Sequence, residues 1–156
     1  MSLTRRSSEI SETHDAGSLF ATWLAPRDIV VVSGPLGAGK TALTQGVARG
    51  LGVRDRVTSP TFTLVREHEC DTSSGITHLH HADLYRTNSL DEIEDLVFEE
   101  LVEPSGVAVI EWGEMGDGLW PAGVWRVEIR VIDDDLRDII IHETPPGRDV
   151  TGWDAQ

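Results

Sequence analysis

One glycine-rich segment, SGPLGAGKT at residues 33–41, constrains the fold of this chain more than any other feature. Its spacing fits G-x-x-x-x-G-K-[ST], the pattern of a loop that wraps around a phosphate group. The glycines lack a β-carbon, so the backbone can turn tightly and point successive N–H groups at one oxyanion. The pattern requires a strand before the loop and a helix after it, and so predicts a strand–loop–helix unit here.

The flanking segments meet this requirement. DIVVV, at 28–32, indicates a buried strand, and TALTQGVARGLG, at 41–52, indicates a helix closed by two glycines. We expect Lys40 to reach the β- and γ-phosphates of a nucleotide and the Thr41 hydroxyl to hold Mg²⁺. The residues expected to bind the phosphates are Gly34, Pro35, Leu36, Gly37, Ala38, Gly39, Lys40, Thr41 and Ala42.

Lys40 is the single lysine among 13 basic residues. A lysine suits a phosphate loop because its ammonium group is a compact point charge on a flexible stem. The planar guanidinium group of arginine is too broad for such a loop. The choice of residue at position 40 is therefore consistent with phosphate binding.

The charge balance bears on the partners of the chain. It has 27 acidic and 13 basic residues, a formal net charge of −14. This field repels nucleic acid, whose binding depends on neutralising phosphates, so we expect little direct RNA contact and instead a partner protein or a metal–nucleotide.

The length and composition of the chain suit one domain of 156 residues. The sequence contains no apolar run that is long enough to span a membrane, and no apolar segment that is typical of a secretory signal. A single cysteine, Cys70, fits a reducing cytoplasm.

Alternating helical and strand patterns predict a three-layer α/β fold of the P-loop NTPase type. We expect a mostly parallel sheet with an antiparallel hairpin at its C-terminal edge. Residues 1–10 are expected to be loose, 11–143 to form one domain, and 144–156 to be disordered. The predicted elements are helices at 12–25, 40–50 and 89–102, and strands at 28–33, 61–66, 76–82, 106–112, 124–132 and 137–143.

Two acidic residues follow apolar strands, where nucleotide hydrolases place groups near Mg²⁺. Glu111 ends VAVIE and is the first candidate metal ligand. Asp83 ends the strand at 76–82 and could hold Mg²⁺ or orient the attacking water, but a cap on the following turn is an equal alternative. The hydroxyls of Ser59 and Thr61, in TSPTF, could form a switch segment or a plain Ser-Pro turn.

Three histidines, His78, His80 and His81, lie close together in one predicted strand. His78 and His80 would share a face while His81 points to the other, so the three cannot converge on one metal ion from the strand alone. We expect solvated histidines rather than a transition-metal site. The acidic face of the helix at 89–102 is either solvated or a docking surface.

Four segments in this order, GPLGAGKT, SPTF, HADLYR and VIEW, resemble the TsaE family, also called YjeE-type ATPases. The resemblance runs from about residue 28 to residue 141. It implies that Asp83, Glu111 and Lys40 are catalytic, that Thr41, Glu111 and Asp83 bind Mg²⁺, and that Ser59, Thr61 and Trp112 lie beside the nucleotide.

The resemblance also implies a function. Family members hydrolyse ATP and act with the proteins TsaD and TsaB in threonylcarbamoyl modification of the tRNA adenosine next to the anticodon. The chain has no obvious internal arginine finger; Arg86 is the only close candidate, and in DLYR it could simply pair with an acid, so we expect hydrolysis to be slow without the partners. Two alternatives stay open: a small phosphotransferase, although GEMGDGLWP contains no arginine for a lid, and a binding module that does not turn ATP over.

Overall fold

A computed structural model of the chain describes residues 2–60, 65–85, 89–96, 101 and 103–154. Within these ranges no helix is both long and apolar enough to cross a lipid bilayer. The elements are β1 Leu3–Ser7, α1 Ile10–Ala21, β2 Ile29–Ser33, α2 Lys40–Gly50, β3 Val65–Glu69, β4 His78–Asp83, α3 Leu90–Leu96, β5 Gly106–Glu111, a 3₁₀ helix Gly113–Gly116, β6 Trp125–Asp133 and β7 Leu136–Glu143.

The described residues form a seven-stranded sheet in the order β1-β7-β6-β2-β5-β4-β3. Its centre, β6-β2-β5-β4, is parallel, and the remaining pairs are antiparallel. Because β2, β5 and β4 are adjacent and parallel, their carboxyl ends meet at one edge of the sheet. This edge lies next to the start of α2, where the glycine-rich segment enters the helix.

Side chains of β2 alternate between two cores. Val30 and Val32 pack in the cluster that contains α1 and α2, whereas Ile29 and Val31 pack with residues from α3 and the loop after β5. Helical structure therefore covers both faces of the sheet, which confirms the three-layer α/β fold and the mostly parallel sheet core.

Two helix glycines allow α1 and α2 to pack closely. A β-carbon at Gly17 would lie 2.4 Å from the Leu43 carbonyl oxygen, and one at Gly46 would lie 2.2 Å from the His14 carbonyl oxygen. Any larger residue would push the helices apart. The close crossing fixes α2, and with it the loop that precedes α2.

The expectation of a loose N-terminus is wrong for residues 3–7. These residues form β1, which pairs antiparallel with β7, so β7 is not an edge strand. Leu3 packs against the core, and the Ser7 side chain is buried, with its hydroxyl 2.8 Å from the Thr13 hydroxyl. The strand escaped prediction because five residues with two arginines carry almost no apolar alternation.

The expectation of a disordered C-terminal segment is also wrong for the described residues 144–154. Trp153 is fully buried, with ring centroids 6.0 Å from Phe20 and 5.9 Å from Trp23. The Arg148 guanidinium donates two hydrogen bonds to the carboxylate of Asp28, at 2.5 and 2.8 Å. The buried tryptophan holds this segment against the end of α1, and the bidentate ion pair holds it against the start of β2; all of these partners are distant in sequence.

The other elements agree with the prediction to within a few residues. Of the predicted strand at 61–66, residues 61–64 lie outside the described ranges, and β3 begins at Val65. Of the predicted helix at 89–102, α3 covers Leu90–Leu96, and the Glu92 backbone N–H donates to the Ser89 hydroxyl at 3.2 Å, which is one half of a capping box.

Candidate functional site

The glycine-rich loop joins the end of β2 to the start of α2, as the sequence predicts. Gly34, Gly37 and Gly39 have φ angles of 149°, 78° and 110°, conformations that side chains with a β-carbon rarely adopt. A β-carbon at Gly34 would also lie 2.6 Å from the carbonyl oxygen of Ile129. The glycines are therefore required both by the backbone turn and by close packing on β6.

The Lys40 side chain turns back over this loop. Its Nζ donates hydrogen bonds to the carbonyl oxygens of Gly34, at 2.7 Å, and Pro35, at 2.8 Å. The same Nζ lies 3.9 Å from the ring centroid of Trp112, a cation–π contact. Trp112 has a left-handed φ of 58°, which is costly for a bulky residue and is typical of functional sites.

Carboxylates surround the Lys40 ammonium group. Burial lowers its pKa, and the charges of Glu111, Glu114 and Asp83 oppose that shift. Burial raises the pKa of Glu114, opposed by backbone hydrogen bonds, one of them to Gly34, and by the charge of Lys40. The sequence did not identify Glu114; its only signal was a position three residues after Glu111. Three acidic groups around one ammonium make a site suited to an additional cation.

Glu111 ends β5 and is almost fully buried, at 3% exposure. Its Oε1 accepts a hydrogen bond of 2.8 Å from the Thr41 hydroxyl, and its Oε2 contacts Nε2 of His81. Two of the three side chains predicted to hold Mg²⁺, Thr41 and Glu111, are thus direct neighbours although 70 residues separate them. Oxygen donors of this kind are the ligands that Mg²⁺ prefers.

Asp83 ends β4 opposite Glu111 in the parallel β4–β5 pair. Its Oδ2 accepts from the Ser59 hydroxyl at 2.8 Å, and its Oδ1 accepts from the backbone N–H of Tyr85 at 3.0 Å. The sequence left a turn cap and a site role as alternatives. The geometry is compatible with both, since one oxygen caps the turn and the side chain also lines the cavity described next.

The predicted residues surround a cavity of about 280 Å³. It is lined by Leu36, Gly37, Ala38, Gly39, Lys40, Thr41, Ser59, Asp83, Glu111 and Trp112. The predicted residues Gly34 and Pro35 provide the carbonyls that hold Lys40, whereas Thr61 lies outside the described residues. Most of the site residues predicted from the sequence therefore lie around this one cavity.

A second cavity, of about 340 Å³, shares Gly37, Ala38 and Gly39 with the first. The rest of its wall includes the predicted residue Ala42, the β1–α1 junction, and Asp134, Asp135 and Arg137 near the β6–β7 turn. The Arg137 Nε donates to the Ala38 carbonyl oxygen at 3.1 Å and so ties the hairpin to the glycine-rich loop. Sequence reasoning missed this cavity because it treated the N-terminus as loose and the hairpin as a simple edge.

The expectation of solvated histidines is wrong for His80 and His81, which are 5% and 0% exposed. As predicted, His81 lies on the opposite face of β4 from the other two: it contacts Glu111, whereas His78 and His80 both approach Glu103. Each buried imidazole has a carboxylate partner, which offsets the cost of burying a polar group. These partners come from other strands and loops.

The chain is similar to known proteins over most of its length. The family model described as "Threonylcarbamoyl adenosine biosynthesis protein TsaE" matches residues 7–139. The tRNA threonylcarbamoyladenosine biosynthesis protein TsaE of Bacillus subtilis is 38% identical over 128 residues, covering 82% of this chain and 77% of that protein. The protein of the same name from Treponema pallidum is 38% identical over 125 residues, covering 80% and 89% of the two chains.

A solved structure agrees with these matches. The crystal structure of Bacillus subtilis YdiB superposes with a TM-score of 0.67 at 30% sequence identity, over 90% of this chain and 84% of that one. The similarity thus covers the sheet and the glycine-rich loop together. The chain belongs to the TsaE family, the proteins of tRNA threonylcarbamoyladenosine biosynthesis.

Proposed function

We propose that this protein is a Mg²⁺-dependent ATPase that binds the TsaD–TsaB transferase complex and supports threonylcarbamoyl modification of the tRNA adenosine next to the anticodon. The observation that carries the proposal is the 2.8 Å contact between the Thr41 hydroxyl and Glu111 at the mouth of the glycine-rich loop. It joins the start of α2 to the end of β5 at the edge where α/β sheets bind ligands.

Phosphate binding is supported by the loop and by Lys40. The N–H groups of the loop and the N-terminus of α2 form an anion-binding concavity. Lys40 now donates to two neutral carbonyls, and a phosphate oxygen would offer it a stronger, charge-assisted acceptor. We therefore expect Lys40 to leave Gly34 and Pro35 when ATP binds, and its contact with Trp112 to change at the same time.

Mg²⁺ fits the donors at this site. Thr41 and Glu111 offer hydroxyl and carboxylate oxygens, with Asp83 on the next strand. When bound there, the ion would neutralise charge on the phosphate oxygens. His81 fixes the orientation of the Glu111 carboxylate, and Asp83, held by Ser59, would orient the attacking water and accept its proton.

We expect the nucleoside to occupy the adjoining cavity of about 340 Å³, because this cavity shares three loop residues with the first. A ligand whose phosphates lie on the loop would extend directly into it. Glu9, Asp134 and Asp135 line that space and provide acceptors for ribose hydroxyl or base amino groups. Arg137, which donates a hydrogen bond to the Ala38 carbonyl, would keep the two cavities in a fixed position relative to each other.

A partner protein is expected to complete the site. No arginine is among the described residues that line the cavity next to Lys40 and Glu111. Transition-state charge on the γ-phosphate would then be incompletely neutralised in the isolated chain, as in other nucleotide hydrolases that need an arginine from a partner. Leu36 lines the cavity, and Tyr85 and Met115 contact Trp112 in its wall. These three side chains are exposed and offer an apolar rim for that partner.

The proposal is tested by measuring release of inorganic phosphate from ATP, with Mg²⁺ or with EDTA, and with or without the TsaD–TsaB pair. We expect slow Mg²⁺-dependent release by the isolated protein and clearly faster release with the pair. Glu111→Gln should abolish hydrolysis in both cases. Transfer of phosphate to a metabolite would indicate a kinase, and ATP binding without any turnover would indicate a binding module; either result contradicts the ATPase proposal.

A further inference from the structure

A second group of metal-ligating side chains lies at the far end of β4 from Asp83. His78 begins β4, Glu67 lies on the edge strand β3, and Glu103 precedes β5. One ligand atom from each residue lies within 4.8 Å of the others. We propose that His78, Glu67 and Glu103 form a binding site for a divalent transition-metal cation of the zinc class, separate from the site at Lys40.

The distances suit such a cation. Bonds of about 2.0–2.2 Å from Zn²⁺ to imidazole nitrogen and carboxylate oxygen place neighbouring ligand atoms roughly 3.3–3.6 Å apart in tetrahedral geometry. His78 Nε2 lies 3.4 Å from a Glu67 oxygen, and His78 Nδ1 lies 3.6 Å from a Glu103 oxygen. The two contacts use different ring nitrogens, so rotation of the imidazole or of one carboxylate would bring the three ligands onto one ion.

His80 supports this arrangement through its contact with Glu103. Its side chain is 6% exposed, and its Nε2 lies 2.6 Å from the second oxygen of Glu103. A β-carbon at Gly106 would lie 3.0 Å from that nitrogen and 3.2 Å from that oxygen, so the glycine leaves room for the pair. A hydrogen-bonded group behind a ligand fixes its orientation, as is general for metal sites. His80 is therefore a positioning residue for Glu103.

The charge at the cluster favours a cation. Among the described residues, neither Glu67 nor Glu103 forms an ion pair with lysine or arginine, and both lie beside imidazole groups instead. The imidazole ligand favours Zn²⁺ and its neighbours over Mg²⁺ or Ca²⁺, which prefer sites made only of oxygen. Glu67 is 56% exposed and His78 28%, so an ion can enter from solvent and keep a water ligand.

The proposed site is distant from the nucleotide site. His78 and Asp83 are the first and last residues of β4, and five steps of roughly 3.3 Å place them about 16 Å apart. A cation here would tie the edge strand β3 to β4 and to the segment entering β5. Its expected effect is thus on stability, with no direct part in the chemistry at Lys40.

The test is Zn²⁺ titration by calorimetry and native mass spectrometry of protein stripped with EDTA, in excess Mg²⁺ to occupy the nucleotide site. We expect one Zn²⁺ per chain and a raised Tm. Substitution of His78→Gln or Glu67→Gln should weaken binding by at least the roughly 10–100-fold seen when supporting groups of metal sites are removed, and should abolish the Tm shift. His80→Gln should weaken binding less than His78→Gln.

His142→Gln is the matched control. His142 and Glu128 form a similar imidazole–carboxylate pair at 2.8 Å, but within the described part of the chain they do not belong to a group of three ligands. This variant should keep wild-type Zn²⁺ affinity. Thermal melting in EDTA establishes that each variant is folded. If His78→Gln does not fold, Glu67→Gln, on the exposed edge strand, tests the same site. Absence of stoichiometric Zn²⁺, or equal affinity in wild type and folded Glu67→Gln, would overturn the proposal.

Discussion

Replacement of Lys40 by methionine and by arginine separates phosphate binding from stability. Lys40→Met keeps a long unbranched stem and removes the charge, whereas Lys40→Arg keeps the charge and changes the shape. If Lys40 makes two charge-assisted hydrogen bonds to the phosphates, at about 1.5–3 kcal/mol each, the methionine variant loses about 3–6 kcal/mol of ATP binding. That corresponds to roughly 100-fold to 10,000-fold weaker binding.

The arginine variant should also bind ATP poorly, for a steric reason visible in the structure. The Lys40 ammonium group fits between two carbonyl oxygens at 2.7 and 2.8 Å and the ring of Trp112 at 3.9 Å, and the residue is only 5% exposed. A planar guanidinium group needs more room than this space provides, so in the variant it would extend into the cavity beside the loop, where the phosphates are proposed to bind. We expect at least a roughly 100-fold loss of affinity.

The thermal stability of Lys40→Met without nucleotide should not fall along with its affinity for ATP. Burial lowers the pKa of Lys40, so the charged form is disfavoured in the folded state. This penalty is fully present at pH values below the lowered pKa and fades as the pH rises from that value to the ordinary one. Lys40→Met removes the penalty but also two hydrogen bonds to carbonyls, so the Tm without nucleotide should stay within about 4 °C of wild type or rise.

The assay is calorimetric titration of each variant with Mg²⁺ and ATP, together with thermal melting without nucleotide. Lost affinity with a preserved Tm supports the phosphate role. Near wild-type affinity in Lys40→Arg would refute the steric reasoning. A Tm of Lys40→Met far below wild type would show that Lys40 mainly holds the loop together.

Three other substitutions test the remaining groups. Asp83→Asn should keep ATP affinity within a few-fold and lose hydrolysis, measured by phosphate release; a parallel loss of both would assign Asp83 to the turn cap. Trp112→Phe should remove most of the change in tryptophan emission caused by ATP and Mg²⁺, and an unchanged response would exclude Trp112 as the reporter. His81→Asn, which releases the Glu111 carboxylate, should raise the Mg²⁺ concentration for half-maximal turnover by roughly 10–100-fold; an unaltered Mg²⁺ dependence would contradict the positioning role of His81.

The sequence by itself was sufficient for the glycine-rich loop and for the acids at the strand ends. The loop is local: the spacing of Gly34, Gly39 and Lys40 specifies a backbone path within nine residues, and the flanking patterns specify a strand and a helix. Glu111 and Asp83 could be placed at one edge because carboxyl ends of parallel strands converge there. Periodicity and topology together therefore predicted which of these side chains line one cavity.

Only the tertiary structure decided what each of these side chains contacts. Glu111 contacts His81. The alternation of side chains along the strand predicted on which face of the sheet His81 lies, but it could not predict which side chain His81 contacts there. The pairing of β1 with β7 and the burial of Trp153 likewise depend on segments more than 100 residues apart. The same holds for Glu67, His78 and Glu103, which meet only because β3, β4 and the start of β5 are neighbours. The local sequence pattern determines the path of the backbone and the alternation of side chains between the two faces of an element. The contacts between distant segments are determined by the packing of the whole chain.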